Sequence, residues 1–137
     1  MLFNKRIEYS IQIILYMSKL NNQAYINAGE IAMKLKLPKE FLSKILQTLT
    51  HFKIVNSQKG KNGGFKLIKP TSEIKLSELI NAFEDESFIY SCILGMKKVC
   101  TGCNCPMYEN WERTKIEILN TYLNEITLNK ENVIYNF

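Results

Sequence analysis

Near Lys53 the spacing of apolar residues changes from a helical to an extended pattern. Before it, apolar residues recur every three or four positions over 4–20, 27–35 and 38–49, which predicts three amphipathic helices. After it, two short β-branched runs flank the basic, glycine-rich stretch 58–64, which predicts a β-hairpin because glycine accepts the positive φ of a tight turn. Three helices followed by a hairpin predict a winged helix-turn-helix. This is a mainly α fold with a small β-hairpin (α+β).

Local signals predict where these helices begin and which face they bury. Asn27 is a candidate N-cap with Glu30 three residues later, an Asn variant of the capping box. Pro38 suits the first turn of the third helix because its ring fixes φ at a helical value. One face of that helix is apolar and is expected to pack into the core: Phe41, Leu42, Ile45, Leu46 and Leu49.

The second half of the chain predicts a short helix over 77–83 and a long one near the end. Over 106–128 apolar residues recur at helical spacing, which predicts about six turns of amphipathic helix. A small domain cannot bury the whole apolar stripe of such a helix, so we expect a second subunit to cover it. The predicted organisation is a winged DNA-binding head at 1–84, a cysteine segment at 85–105, a dimerisation helix at 106–128 and a tail at 129–137.

Positive charge is concentrated in the predicted winged head. The 137 residues carry a formal charge of +5, but 1–70 hold 12 Lys or Arg against 3 acids, and 71–137 hold 6 against 10. The halves therefore carry +9 and −4, which indicates a polyanionic partner for the first half. No apolar run reaches the roughly 18–20 residues of a membrane span. A soluble protein in the cytoplasm is therefore expected. The placement of the basic excess on the predicted helix and hairpin favours double-stranded DNA as the partner.

The third helix and the hairpin turn present polar side chains suited to DNA. In a helix-turn-helix the start of the second helix of the unit enters the major groove, and polar residues spaced at 0, 4, 5 and 8 share one face there. Gln can pair with adenine and Lys with guanine or phosphate, while a basic, glycine-rich turn can approach the minor groove or the backbone. The alternative is a solvated helix face and an ordinary surface turn. The predicted DNA contacts are Lys39, Ser43, Lys44 and Gln47 on the helix and Lys59, Lys61, Asn62 and Gly63 on the turn.

Four cysteines lie in the second half, at positions 92, 100, 103 and 105. They are too few for a disulfide scaffold, and three fall within six positions. Thiolates are ligands that iron-sulfur clusters and zinc prefer. Structural zinc sites usually combine two Cys-x(2–4)-Cys pairs, and only Cys100 and Cys103 have that spacing. Three hypotheses follow: an iron-sulfur cluster, zinc or another metal, and metal-free thiols that are redox-active or inert.

Short motifs in both halves carry a likeness to a known family. Leu42-x-x-Ile45-Leu46, together with the run Lys-Gly-Lys-Asn-Gly-Gly-Phe-Lys-Leu over 59–67, resembles the IscR/NsrR family of bacterial winged-helix transcription regulators. The cysteine segment and the helix near Trp111 continue the resemblance, which covers nearly the whole chain. It implies a homodimer joined through the last helix. Such a dimer binds a pseudo-palindromic operator and represses or activates genes.

The resemblance also implies an iron-sulfur cluster, either 2Fe-2S or 4Fe-4S, whose damage, loss or nitrosylation changes operator affinity. The fourth ligand varies in the family. Glu8 stands where some members use an acidic residue in the first helix of the partner subunit, and Tyr108 stands where others use a histidine. The family's three cluster cysteines map onto Cys92, Cys100 and Cys105, with Cys103 an extra thiol near the site.

These observations predict a homodimeric transcription regulator, a repressor, that senses redox state, nitric oxide or iron-sulfur status. The same regulator with thiol or zinc sensing is an alternative. An electron carrier would account for the cysteines but not for a basic helix and hairpin. Catalysis is not expected, because the sequence has no phosphate loop, nucleophile elbow or paired acidic motif. Its only histidine, His51, ends the third helix and is expected to be a surface or packing residue.

Overall fold

A computed structural model of the chain describes residues 4–20, 24–83, 92, 94, 105–123 and 127–128. Within these residues the helices and the hairpin follow the predicted order, and the winged-helix fold class is confirmed. The elements are α1 (Lys5–Lys19), α2 (Ala28–Leu35), α3 (Lys39–His51), β1 (Val55–Gln58), β2 (Gly64–Leu67), a 3-10 turn (Thr71–Glu73), α4 (Leu76–Ala82), α5 (Tyr108–Glu117) and a π-helix (Ile118–Leu123).

Side-chain caps fix the starts of the first two helices. The Asn4 carboxamide oxygen accepts a hydrogen bond of 3.1 Å from the Ile7 amide at the start of α1. The predicted cap Asn27 accepts one of 2.8 Å from the Glu30 amide at the start of α2. Each bond pairs an amide that helical geometry leaves without an internal acceptor, and such caps stabilise a helix by about 1 kcal/mol. Pro38 precedes α3, as its fixed φ favours.

The hydrophobic core lies where α1, α2, α3 and the hairpin meet. Four of the five apolar residues predicted on α3 are buried, and Phe41 is only partly buried. Its ring packs edge-on against Tyr9 of α1, with 5.6 Å between ring centroids. The largest fully buried side chains are Ile7, Ile13, Ile14, Ile31, Leu42, Ile45, Leu46, Leu49, Ile54, Val55, Ile74 and Leu79.

The hairpin is antiparallel and is paired to the rest of the head along one edge. Val55 lies opposite Leu67, and the register continues to the end of β1. Ile26, just before α2, lies beside β2 and exchanges two backbone hydrogen bonds of 3.0 and 2.8 Å with Phe65. A two-stranded hairpin is marginally stable alone, so this extra pairing attaches the wing to the α1–α2 connection.

Two contacts hold α4 against the rest of the head. The Lys69 ammonium, at the end of the hairpin, forms an ion pair of 2.7 Å with the Glu78 carboxylate on α4. The Arg6 guanidinium on α1 donates a hydrogen bond of 3.3 Å to the carbonyl of Phe83, the C-cap of α4. The chain is therefore fixed to α1 at the last described residue before the cysteine segment.

The last helix differs from the prediction. The prediction of six continuous α-helical turns over 106–128 is wrong. Helix α5 covers Tyr108–Glu117 and passes directly into the π-helix. Thr127 is extended and pairs with Lys75, and the Leu128 amide donates a 2.9 Å hydrogen bond to the Ile74 carbonyl. Apolar periodicity cannot mark the change from i→i+4 to i→i+5 bonding, because the apolar residues continue through it. The predicted tail 129–137 lies outside the described residues.

None of the helices within the described part of the chain is long and apolar enough to cross a bilayer.

Candidate nucleic-acid interface and thiol segment

A short left-handed turn joins the two helices of the helix-turn-helix. Lys36, directly after α2, has φ 54° and ψ 42°. The Leu37 amide then donates a 2.9 Å hydrogen bond back to the Ala32 carbonyl, which closes the end of α2. This pattern is the common left-handed termination of a helix, and it reverses the chain so that α3 can begin at Lys39.

The predicted contact residues of α3 share one outward face. Lys39, Lys44 and Gln47 are exposed and Ser43 is half-buried, whereas the opposite side of the helix packs into the core. Glu40 is also exposed in the first turn of α3, and sequence reasoning missed it as a neighbour of the predicted contacts. The outward face therefore combines cations and hydrogen-bonding groups with one acid.

Lys39 also lies close to the start of α2. A methyl group built on Gly29 would lie 3.9 Å from the Lys39 ammonium nitrogen, so that ammonium sits over the first turn of α2. The α2 N-terminus carries partial positive charge from its unpaired amides. The beginnings of both helices of the unit thus present positive potential together.

The wing turn is tight, and two of its glycines occupy positions where a side chain would clash with the backbone. The Gly63 amide donates a 3.0 Å hydrogen bond to the Gly60 carbonyl and closes the turn. A methyl group on Gly63 would lie 2.2 Å from the Gln58 carbonyl oxygen, and one on Gly64, at φ 145°, would lie 2.3 Å from the Ile26 carbonyl oxygen. The sequence predicts Gly64 only as one of the turn glycines that accept a positive φ; it does not reveal the clash with Ile26, because that neighbour is distant in sequence.

Cations and an amide occupy the exposed part of the turn. Lys59, Lys61 and Asn62 are all exposed, and Gly63 is half-buried. The structure thus brings the four predicted wing residues together on one turn. Their contact with DNA stays a prediction.

Two of the four cysteines fall within the described residues. Cys92 and Cys105 are half-buried, and Cys100 and Cys103 lie outside the described residues. Among the residues that are described, no group of three or more His, Cys, Asp or Glu side chains is placed to hold a metal ion. These two half-buried thiols lie at the two ends of the predicted ligand segment, and cysteine thiolate is the donor that binds iron in iron-sulfur clusters.

Glu8, the candidate fourth ligand, forms an ion pair on its own helix. The Lys5 ammonium donates a 2.8 Å hydrogen bond to the Glu8 carboxylate, and this bond raises the pKa of Lys5 above its ordinary value. His51 is exposed and packs edge-on against Phe52, with 5.3 Å between ring centroids. This placement matches the surface or packing role expected for the single histidine.

A helix-turn-helix followed by a glycine-turned hairpin defines a winged-helix DNA-binding protein. The sequence profile of the Rrf2 family, described as iron-dependent transcriptional regulators, matches residues 3–130. The chain therefore belongs to the Rrf2 family, and the resemblance to IscR and NsrR is confirmed. The protein is a DNA-binding transcription regulator and not an enzyme, because this is the class of its family and relatives.

Individual relatives agree with the family assignment. A putative HTH-type transcriptional regulator of Aquifex aeolicus is 30% identical over 120 residues, covering 86% of this chain and 83% of the relative. The HTH-type transcriptional regulator NsrR of Oceanobacillus iheyensis is 32% identical over 88 residues, covering 64% of this chain and 60% of that protein.

Solved structures share the fold. CymR, described as the global cysteine regulator of B. subtilis, superposes with a TM-score of 0.70 at 20% identity over 91% of both chains. T. potens IscR superposes with a TM-score of 0.65 at 19% identity over 91% of this chain and 81% of that one. At such low identity these likenesses show the fold alone.

Proposed function

We propose that this protein is a homodimeric repressor that binds a two-fold DNA operator through α3 and the wing. The observation that carries the proposal is the outward face of α3, where Lys39, Lys44 and Gln47 are exposed, in a chain that also presents a basic, glycine-closed wing turn. Phosphate contacts from the lysines would position the head, and Gln47 and Ser43 would read base edges. A repressor of this kind acts by occupying the operator.

Substitutions on α3 test DNA binding. The probe is a fluorescent duplex of about 30 base pairs selected from a random library by the wild-type protein, long enough for two half-sites one helical turn apart. Lys44→Ala is expected to weaken binding to all sequences and to make the salt dependence shallower by about 0.9 in log–log slope for each lost phosphate contact. Gln47→Ala is expected to relax the preference at one base pair by about 1–3 kcal/mol.

The matched control removes an exposed lysine away from α3. Lys75 is exposed just before α4. Lys75→Ala is expected to leave affinity and salt slope close to those of the wild type. Equal effects of Lys44→Ala and Lys75→Ala would show that only net charge matters and would contradict the assignment of α3.

Dimerisation through α5 is the second part of the proposal. Ile116 on α5 is 56% exposed, and Trp111, Ile118 and Leu119 are only partly buried within one chain. Apolar side chains left exposed or only partly buried on this helix support burial against a second copy. Sedimentation equilibrium is expected to give a dimer for the wild type and a monomer for Ile116→Glu. A monomeric wild type would contradict the proposal.

The third part is modulation of operator affinity by an iron-sulfur cluster, 2Fe-2S or 4Fe-4S. The family description names iron dependence, and the half-buried thiols of Cys92 and Cys105 supply suitable donors. Cys92, Cys100 and Cys105 would hold the cluster, with Cys103 and Glu8 as further candidate ligands. A bound cluster supplies a centre that responds to oxidant, nitric oxide or iron supply. To act as a ligand, Glu8 would have to give up its ion pair with Lys5.

Anaerobic purification tests the cluster. The expected result is coloured protein with iron and acid-labile sulfide, lost in Cys92→Ala, Cys100→Ala and Cys105→Ala but kept in Lys44→Ala. Colourless protein without iron after reconstitution would overturn this part. If an oxidant still changed the affinity of this colourless protein for the duplex, thiol sensing without a cluster would replace the cluster proposal. The cysteine regulator CymR shares the fold. Bound zinc would favour the remaining alternative.

A further inference from the structure

Two lysines of the head adopt the left-handed backbone conformation that favours glycine. Lys36 has φ 54° and Lys53 has φ 58°. Lys36 directly follows α2, and Lys53 follows α3 with one residue between. These are the positive-φ residues other than glycine among those described, and they flank the two ends of α3.

The two helix ends have the same local structure. In each, the amide after the lysine donates a 2.9 Å hydrogen bond to a carbonyl in the last turn of the preceding helix. Glycine is the usual residue at this position because it has no Cβ to crowd the left-handed backbone. Both lysines are exposed, and no ion pair within the described part of the chain involves either one. A cation near a helix C-terminus stabilises the helix, but this effect applies to both lysines and so does not distinguish them.

The two lysines differ in where they lie relative to α3. Lys36 is three residues before Lys39, at the end of α3 that enters the major groove in a helix-turn-helix. Lys53 lies beyond the other end, and the 13 residues of α3 separate the two positions by about 20 Å. Backbone strain of this kind is often found at functional sites, and of the two lysines only Lys36 lies at the end of α3 that faces DNA in a helix-turn-helix.

We infer that Lys36 is a phosphate anchor that contacts the DNA backbone beside the bases read by α3, and that Lys53 is not. The inference rests on the proposed DNA binding and adds a contact outside the outward face of α3. A lysine ammonium is a compact point charge suited to a phosphate oxygen. The partner group is thus a DNA phosphate at the edge of the half-site.

Glycine substitutions separate this role from a structural one. Lys36→Gly and Lys53→Gly each remove one positive charge and one strained side chain, so neither is expected to lower the melting temperature of the full-length protein. Anisotropy titrations use the selected duplex over a salt series. Lys36→Gly is expected to reduce the log–log salt slope by about 0.9 for each bound head and to weaken binding about eightfold per head near 0.1 M salt. Lys53→Gly is expected to change affinity by less than about twofold, and Lys36→Arg to retain binding.

The outcomes distinguish this inference from the proposed function. The inference is overturned if Lys36→Gly and Lys53→Gly lose equal affinity for the duplex, or if Lys36→Gly leaves the salt slope unchanged. Either result would stand even if Lys44→Ala still weakened binding. A wild-type protein that binds no selected duplex with salt-dependent affinity overturns the proposed function and this inference with it.

Discussion

Gly64 is the position where a single methyl group is expected to loosen the wing from the head. At φ 145° an alanine Cβ would lie 2.3 Å from the Ile26 carbonyl oxygen, far inside van der Waals contact. The backbone cannot relieve this clash locally because Ile26 and Phe65 are held by two backbone hydrogen bonds. Gly64→Ala must therefore separate β2 from Ile26 or distort both.

The expected loss in free energy of unfolding for Gly64→Ala is the sum of two contributions. A side chain at such a φ costs about 1–3 kcal/mol, and giving up two backbone hydrogen bonds costs about 1 kcal/mol each. The expected loss in free energy of unfolding is about 3–5 kcal/mol. For a domain near 100 residues, 1 kcal/mol corresponds to about 4–8 °C, so the melting temperature is expected to fall by at least about 12 °C.

Gly60→Ala is the matched control. Gly60 also has a positive φ, 107°, but a methyl group there meets no atom within 4 Å. It therefore carries the backbone strain without the clash, and a loss of about 1–3 kcal/mol is expected. Urea unfolding gives both values, and hydrogen exchange at the Ile26 and Phe65 amides reports the pairing directly. Equal destabilisation by the two substitutions, with unchanged exchange at Ile26, would refute the reasoning.

Three further predictions concern α1, α2 and α3. Asn27→Ala leaves the Glu30 amide without its cap and is expected to lower the free energy of unfolding by about 1 kcal/mol in urea titrations; no change would mean that solvent replaces the cap. Glu8→Gln is expected to lower the pKa of Lys5 toward its ordinary value, measured by NMR. Because the pKa of Lys5 is raised in the folded protein, the stabilisation tied to that shift is present below the ordinary lysine pKa of 10.5 and is lost as pH rises through the folded value. An unshifted pKa of Lys5 would contradict the pairing. Glu40→Gln is expected to tighten binding to a random-sequence duplex by up to about fivefold, since one acid on the outward face of α3 repels phosphates; weaker binding would instead show that Glu40 accepts a hydrogen bond from a base.

The head could be predicted from sequence because its signals are local. The spacing of Asn27 to Glu30 predicts the cap, and the period of the apolar residues predicts the buried face of α3; the structure shows both. The glycine-rich turn predicted the hairpin, and the structure confirms its antiparallel pairing. Each of these features depends on residues within a few positions of one another.

The features that the sequence does not predict depend on contacts between distant residues or on backbone hydrogen bonds that leave no mark in the side-chain pattern. Gly64 is required by Ile26, which lies 38 positions earlier in the sequence. The π-helix keeps the apolar spacing of α5 while changing its backbone bonds. The left-handed Lys36 carries no sequence signal, because lysine is an unusual residue for that conformation.

The return of the chain to the head at Ile74 and Lys75 has a consequence for how far the intervening segment can vary. Backbone pairing brings the two ends of the stretch from Lys75 to Thr127 together, and the first helix within it, α4, packs into the core through Leu79 and Ala82. Closure entropy grows only with the logarithm of loop length, and a doubling costs about 0.6 kcal/mol. Residues can therefore be inserted, deleted or exchanged between α4 and α5 with little effect on the stability of the winged head. The segment between α4 and α5 can thus vary in length and chemistry while the DNA-binding unit is kept.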